Sequence, residues 1–219
     1  MSFQADLYYS FRSPYSYLSI GRAKHIKDTY DLELDLRPVL PLAVREKGFF
    51  TRQNPLWVPY LLRDITRIAE MEDIPLAWPQ PDPVITDPVT RDAVDEQPYI
   101  HRLTHLAIAA EEQGHGIDFA YEVATLIWSG KHQPWNEGPY LEEAVTRAGL
   151  SLQDLDALIE TDEAGYKEKT AQNLKSLESA GHWGVPTFVF QNEPFFGQDR
   201  IAMFLWRMKQ QGLQKRTLS

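Results

Sequence analysis

The sequence predicts an α/β fold in which a small mixed sheet is built from the two ends of the chain and a large helical insertion separates them. Three observations predict it. Residues 1–40 read strand, helix, strand. Residues 187–210 read strand, strand, helix. The middle carries helical periodicity broken by one proline-rich stretch.

Residues 3–9 (FQADLYY) are rich in aromatic and apolar side chains and read as a strand. Residues 10–14 (SFRSP) form a turn, and Ser13-Pro14 is a helix start, with Ser at the N-cap and Pro at the first helical position. Tyr15, Leu18, Arg22 and Ile26 follow at helical spacing to about residue 30. Residues 32–40 alternate apolar and charged side chains at first, a half-buried strand. A strand, a helix and a strand in this order imply a parallel pair with a right-handed crossover.

After Pro41 the texture changes. Residues 56–71 form an amphipathic helix. Residues 74–98 hold six prolines and form a long irregular connection. Helices follow at 99–112, 118–128, 138–148, 151–159 and 162–180, with Ser151 capping the fourth. The chain then reverts to β. Residues 187–190 and 194–196 form a hairpin about Gln191-Asn192-Glu193, and 198–210 form a last amphipathic helix. The βαβ and ββα units make a four-stranded mixed sheet, the order of the thioredoxin fold. The expected division is a thioredoxin-like domain over 1–48 and 183–219, with a helical insertion domain over 49–182.

Composition narrows the function. The chain has 219 residues and no cysteine. Structural disulfides, thiolate metal sites, cysteine nucleophiles and dithiol chemistry by the chain itself are excluded. The net charge of −9 lacks the basic excess of a duplex-binding surface, so no nucleic acid is expected. Lys209, Lys215 and Arg216 read as a solvated helix end. The first residues have no basic segment followed by an apolar run, and no stretch reaches the roughly 18 apolar residues of a membrane span. The expectation is a soluble, cytoplasmic protein with no membrane partner. His101 and His105 stand four apart on a helix, but no third ligand is placed near them, so no metal is expected. Glu111 and Glu112 read as a solvated acidic face.

Four segments occur in a telling order: Phe11-Arg12-Ser13-Pro14-Tyr15-Ser16-Tyr17, Ile74-Pro75-Leu76, Gly184-Val185-Pro186-Thr187 and Gly197-Gln198-Asp199-Arg200. As a set they resemble the 2-hydroxychromene-2-carboxylate isomerase and kappa-class glutathione transferase family, the cysteine-free, glutathione-using branch of the DsbA-like proteins. The resemblance spans nearly the whole chain and is strongest at its two ends. It implies that Pro186 follows a cis peptide bond and that glutathione is the cofactor. It further implies a small aromatic substrate and a homodimer, for which Phe49-Phe50 is a candidate interface.

Ser13 stands where DsbA-like enzymes carry their first cysteine. A helix N-terminus holds unsatisfied N–H groups and about half a positive charge, which lowers the pKa of a nearby thiol. With no cysteine in the chain, that thiol belongs to a ligand. Taken alone, Ser13 reads as an N-cap; with the flanking motifs it reads as the catalytic hydroxyl that donates to the glutathione thiolate. Val185 and Pro186 offer backbone groups to which an extended tripeptide can pair as an added strand. Gln198 and Asp199 open the last helix and suit the charged γ-glutamyl end. Asn54 matches a family asparagine. The family's lysine on the first insertion helix falls at Leu62, with Arg63 or Arg52 as substitutes. Arg12, Tyr15 and Trp183 are candidates to line the substrate pocket.

The function implied is a glutathione-dependent isomerase acting on an aromatic or conjugated small molecule. The alternatives are a kappa-like glutathione transferase and a non-catalytic thioredoxin-like binding module.

Overall fold

The computed structural model describes residues 3–90 and 92–217. Four strands form one sheet in the order β2-β1-β3-β4: β1 (Phe3–Tyr9), β2 (Leu32–Pro38), β3 (Thr187–Phe190) and β4 (Glu193–Phe196). β2 runs parallel to β1, with Phe3 opposite Leu32 and Tyr9 opposite Pro38. A parallel pair needs a crossover, and α1 (Pro14–Thr29) supplies it. β3 runs antiparallel to both β1 and β4. Its hairpin turns on Gln191 and Asn192, both at positive φ, the two-residue loop whose twist matches the strands.

The remaining helices are α2 (Leu42–Arg45), α3 (Trp57–Met71), α4 (Pro98–Glu112), α5 (Gly116–Trp128), α6 (Tyr140–Arg147), α7 (Leu152–Thr161), α8 (Glu163–Ser179) and α9 (Ile201–Gln210). Side chains alternate across β1. Ala5, Leu7 and Tyr9 enter the main core, whereas Tyr8 turns to the other face and packs with Val39, Val189 and Leu177 of α8. The first two turns of α1 are buried on most sides: Ser16 and Ser19 are as inaccessible as Leu18, Ile20 and Ala23, whereas Gly21, His25 and Asp28 are exposed farther on. The helix lies between the sheet and α5, so it carries no single apolar stripe. One continuous apolar cluster joins sheet residues (Leu7, Leu36, Phe188) to insertion residues (Leu106, Phe119, Trp128, Leu155). Among the described residues no helix is long and apolar enough to cross a membrane.

Three local expectations are corrected and one is refined. The second strand ends at Pro38 rather than residue 40, and one helical turn, α2, follows Pro41. The segment 198–210 is not one helix: Gln198–Arg200 is a 3-10 turn, closed by the Arg200 N–H donating to the Gly197 carbonyl, and α9 begins at Ile201. The basic tail is exposed, as expected, but Arg216 is also pinned. Arg216 donates its N–H to the Thr29 carbonyl (2.8 Å) and its guanidinium to the Lys27 (3.2 Å) and Leu32 (3.0 Å) carbonyls, which closes the end of α1. Glu111 turns inward and accepts from the Leu36 N–H at the free edge of β2.

Candidate active site

β1 delivers the chain to a turn from which α1 starts. Ser13 caps α1 with extended backbone, and its Oγ accepts from the Ser16 N–H at 3.2 Å. Pro14 has no N–H to satisfy, and among the described residues nothing accepts from the Tyr15 N–H. The first turn of α1 therefore keeps an open donor beside the Ser13 hydroxyl, in the positive field of a 16-residue helix.

The second wall comes from the other end of the chain. The Val185–Pro186 bond is cis. The Ser13 hydroxyl donates across to the Val185 carbonyl at a long 3.4 Å, which brings these two sequence-predicted elements together. Among the described residues nothing accepts from the Val185 N–H. The loop around it is braced on both sides. Thr187 Oγ1 donates to the Gly184 carbonyl (2.7 Å), and the Gly197 N–H donates to the Pro186 carbonyl (2.9 Å). Gly197 sits at φ +107°, and a Cβ there would stand 2.6 Å from Asp199 Oδ1, so only glycine fits this close turn.

The other predicted residues divide by what holds them. Arg12 is ion-paired with Asp82 and lies 4.6 Å over the Trp78 ring, so its charge is already matched. The Tyr15 hydroxyl donates to Asp64 on α3 at 2.7 Å. Burial and then that carboxylate push its pKa up, and Tyr60 and Asp199 push the same way. Tyr15 thus straps α1 to α3. Gln198 accepts from Arg22, which also meets Glu72 at 3.3 Å, and Asp199 is ion-paired with Arg200 at 2.5 Å. Asn54 is exposed. Its Oδ1 accepts from the Leu56 N–H (2.9 Å) and its carbonyl from the Trp57 N–H, which starts α3. Leu62 is an exposed side chain on α3. Arg52 is engaged with the Lys47 carbonyl and Glu46. Trp183 is 58 % exposed and stacks at 4.6 Å on His182.

The sequence reasoning missed several residues at this site. Trp78 and Asp82 come from the proline-rich connection and form the wall on which Arg12 rests. Arg22 joins α1 to the 3-10 turn. His182 accepts from the Gly184 N–H. Only His182 left a local signal, two residues before the Gly-Val-Pro motif. His101 and His105 do not join the site: His105 is buried against Tyr166, and the two rings are 6.3 Å apart.

Comparison with known proteins agrees with this architecture. The model of the DsbA-like thioredoxin domain matches residues 4–209. Glutathione S-transferase kappa 1 of Rattus norvegicus is 22% identical over 211 residues, covering 92% of this chain and 88% of that protein. The solved structure of a 2-hydroxychromene-2-carboxylate isomerase superposes with a TM-score of 0.66 at 20% identity, covering 95% of each chain. The cytosolic disulfide reductase DsbM from Pseudomonas aeruginosa with GSH superposes with a TM-score of 0.58 at 17% identity, covering 94% of this chain and 99% of that one.

Proposed function

The chain belongs to the DsbA-like thioredoxin domain family, and from that premise we propose that it is a glutathione-dependent isomerase of the 2-hydroxychromene-2-carboxylate isomerase type. Its substrate would be an aromatic or conjugated small molecule. The observation that carries the reading is the pairing of Ser13 with Val185. A hydroxyl, an open helix N–H and an open strand-edge N–H converge where relatives of the disulfide type need a thiol, in a chain that has no cysteine.

The residues present fit glutathione at its cysteinyl part. The Val185 N–H and carbonyl offer the two backbone groups that an extended peptide pairs with. When bound, glutathione supplies a nucleophilic sulfur. The Ser13 hydroxyl exchanges its long bond to the Val185 carbonyl for a shorter, charge-assisted one to the thiolate. The open Tyr15 N–H and the dipole of α1 favour the same negative charge. Arg12, Trp78 and Tyr15 line the side toward α3 and the proline-rich connection, where a planar ring can stack. At the γ-glutamyl end the fit is looser. Gln198 and Asp199 must release Arg22 and Arg200 to meet a ligand, and no lysine stands at Leu62. We assign the reaction to the cytoplasm, where glutathione is held reduced. We further assign a homodimer through Phe49, Phe50, Leu56 and the exposed face of α3 (Tyr60, Leu62).

A kappa-like transferase would use the same thiolate site and differ in whether the sulfur leaves the product. A binding module would use Val185 without turnover.

Thermal unfolding with reduced glutathione, and with S-methylglutathione beside it, tests the reading. At about ten times Kd one-site binding adds ~1.4 kcal/mol, a rise of about 3–6 °C for a chain of this size. The expected result is a saturable rise with reduced glutathione and a smaller one with the S-methyl form. No rise at several millimolar would remove glutathione from the site and leave the binding module.

A further inference from the structure

We propose that His182 is a positioning residue for the thiol-peptide site, fixing the Val185 backbone by holding the Gly184 N–H. The proposal rests on the glutathione reading above. His182 Nδ1 accepts from the Gly184 N–H at 2.9 Å. Two aromatic rings stack on the imidazole in that pose. Trp183 stacks on it at 4.6 Å and 11°, and Phe196 of β4 stacks at 4.0 Å and 23°.

The reason a positioning residue is needed lies in Gly184 itself. A Cβ at this position would stand 2.8 Å from the Phe196 ring and 3.2 Å from the His182 ring, so the glycine lets both rings lie this close to the backbone. Glycine is the residue with the widest backbone freedom. The next peptide plane contains the Gly184 carbonyl and the Val185 N–H, and rotation at Gly184 would swing that N–H out of reach of a ligand. The structure clamps both sides of the glycine. His182 holds its N–H, and the buried Thr187 hydroxyl holds its carbonyl at 2.7 Å. With both planes fixed, the Val185 N–H keeps one orientation, beside the carbonyl that the Ser13 hydroxyl holds. An Nδ1 that accepts from the Gly184 N–H carries no proton, so the neutral ring in this pose holds its proton on Nε2. Burial pushes the His182 pKa down, and the contact with the Gly184 backbone opposes it.

Two substitutions separate the acceptor from the ring. His182→Phe keeps the stack and loses the acceptor. His182→Asn loses the stack and returns an amide oxygen near the place of Nδ1. Losing one neutral hydrogen bond that orders a ligand-facing strand should weaken glutathione binding about three- to tenfold. H182F should raise Kd and KM for glutathione by that factor while kcat changes less than twofold. H182N should return Kd to within about twofold of wild type. In the unsubstituted protein, an NMR coupling across the hydrogen bond between Gly184 15N and His182 15Nδ1 should be present. This readout remains available if H182F does not fold.

Absence of that coupling overturns the positioning role. So does an H182F protein that binds glutathione as wild type does, or an H182N protein that loses as much affinity as H182F. A wild-type protein that binds no glutathione overturns the functional reading, and the positioning role falls with it.

Discussion

Ser13 touches both halves of the site, so substitutions there read the chemistry most directly. Ser13→Ala removes the donor but leaves the α1 N–H groups. The loss of one hydrogen bond to a charged group costs about 1.5–3 kcal/mol, so glutathione-dependent turnover should fall about 10- to 150-fold, with a smaller change in the stability of the fold. Full turnover in S13A would remove Ser13 from the mechanism. Ser13→Cys puts a thiol on the same helix N-terminus. Its pKa should fall below the free value of about 8.5, and alkylation against pH would show it; an unshifted thiol would mean that the α1 field is not felt at this position. Local chemistry marked Ser13 as an N-cap, a serine before a proline at a helix start, and Val185-Pro186 as a strand start; their reading as one site came from the family resemblance of the four motifs. Trp78, Asp82 and Arg22 were not legible, since each meets the site through a tertiary contact from a segment with no periodic pattern or from the far side of α1.

At the scale of elements, segments with a period or with marked ends were legible, and single turns were not. β1, β2 and α3 carry alternating or amphipathic patterns, and their boundaries fall within a residue or two of those read from the chain. The one-turn helix α2 is shorter than any window in which a period can register, and the 3-10 turn at 198–200 depends on a glycine conformation rather than on a pattern. Glu111 shows a second limit. Beside Glu112 it looks solvated, yet it lies against Gly116 and accepts from the edge of β2. Burial pushes its pKa up from 4.5 to about 7; Asp35 adds to this, while the Leu36 N–H, Arg37 and Lys27 oppose it. An acid whose folded pKa lies above its unfolded value binds more protons when folded, so its contribution to stability is lost as pH rises from about 4.5 through 7. Glu111 is partly accessible, which reduces the full effect to about 1–2 kcal/mol. Glu111→Gln keeps an acceptor for Leu36 and removes the charge. Melting temperatures at pH 5 and pH 8 should therefore differ by about 2–8 °C more in wild type than in E111Q. Parallel curves would show that the carboxylate ionises freely in the folded state.

At the scale of the whole molecule, chain order suggests two domains, and the main core runs through both of them. α1 belongs to the thioredoxin-like half but lies against α5 of the insertion, and the buried Trp128 indole donates to the Phe11 carbonyl at 2.8 Å, directly before Arg12 and Ser13. Arg216 draws the chain's end back onto α1 and β2, so the two terminal segments are locked to each other as well as to the insertion. An insertion that shares the core of its host cannot unfold first without exposing the host's apolar surface, so the two should melt together. Far-UV circular dichroism, dominated by the helices of the insertion, and a reporter on the sheet, such as the β3 amides, should give one coincident midpoint. Trp128→Phe tests the coupling from a single position. It leaves the buried Phe11 carbonyl without its donor, at a cost of about 1–3 kcal/mol, and should lower both midpoints together by about 2–12 °C. A helical signal that falls while the sheet midpoint holds would mean two independently stable units, and the site at Ser13 would then rest on an interface that can open rather than on a fixed core.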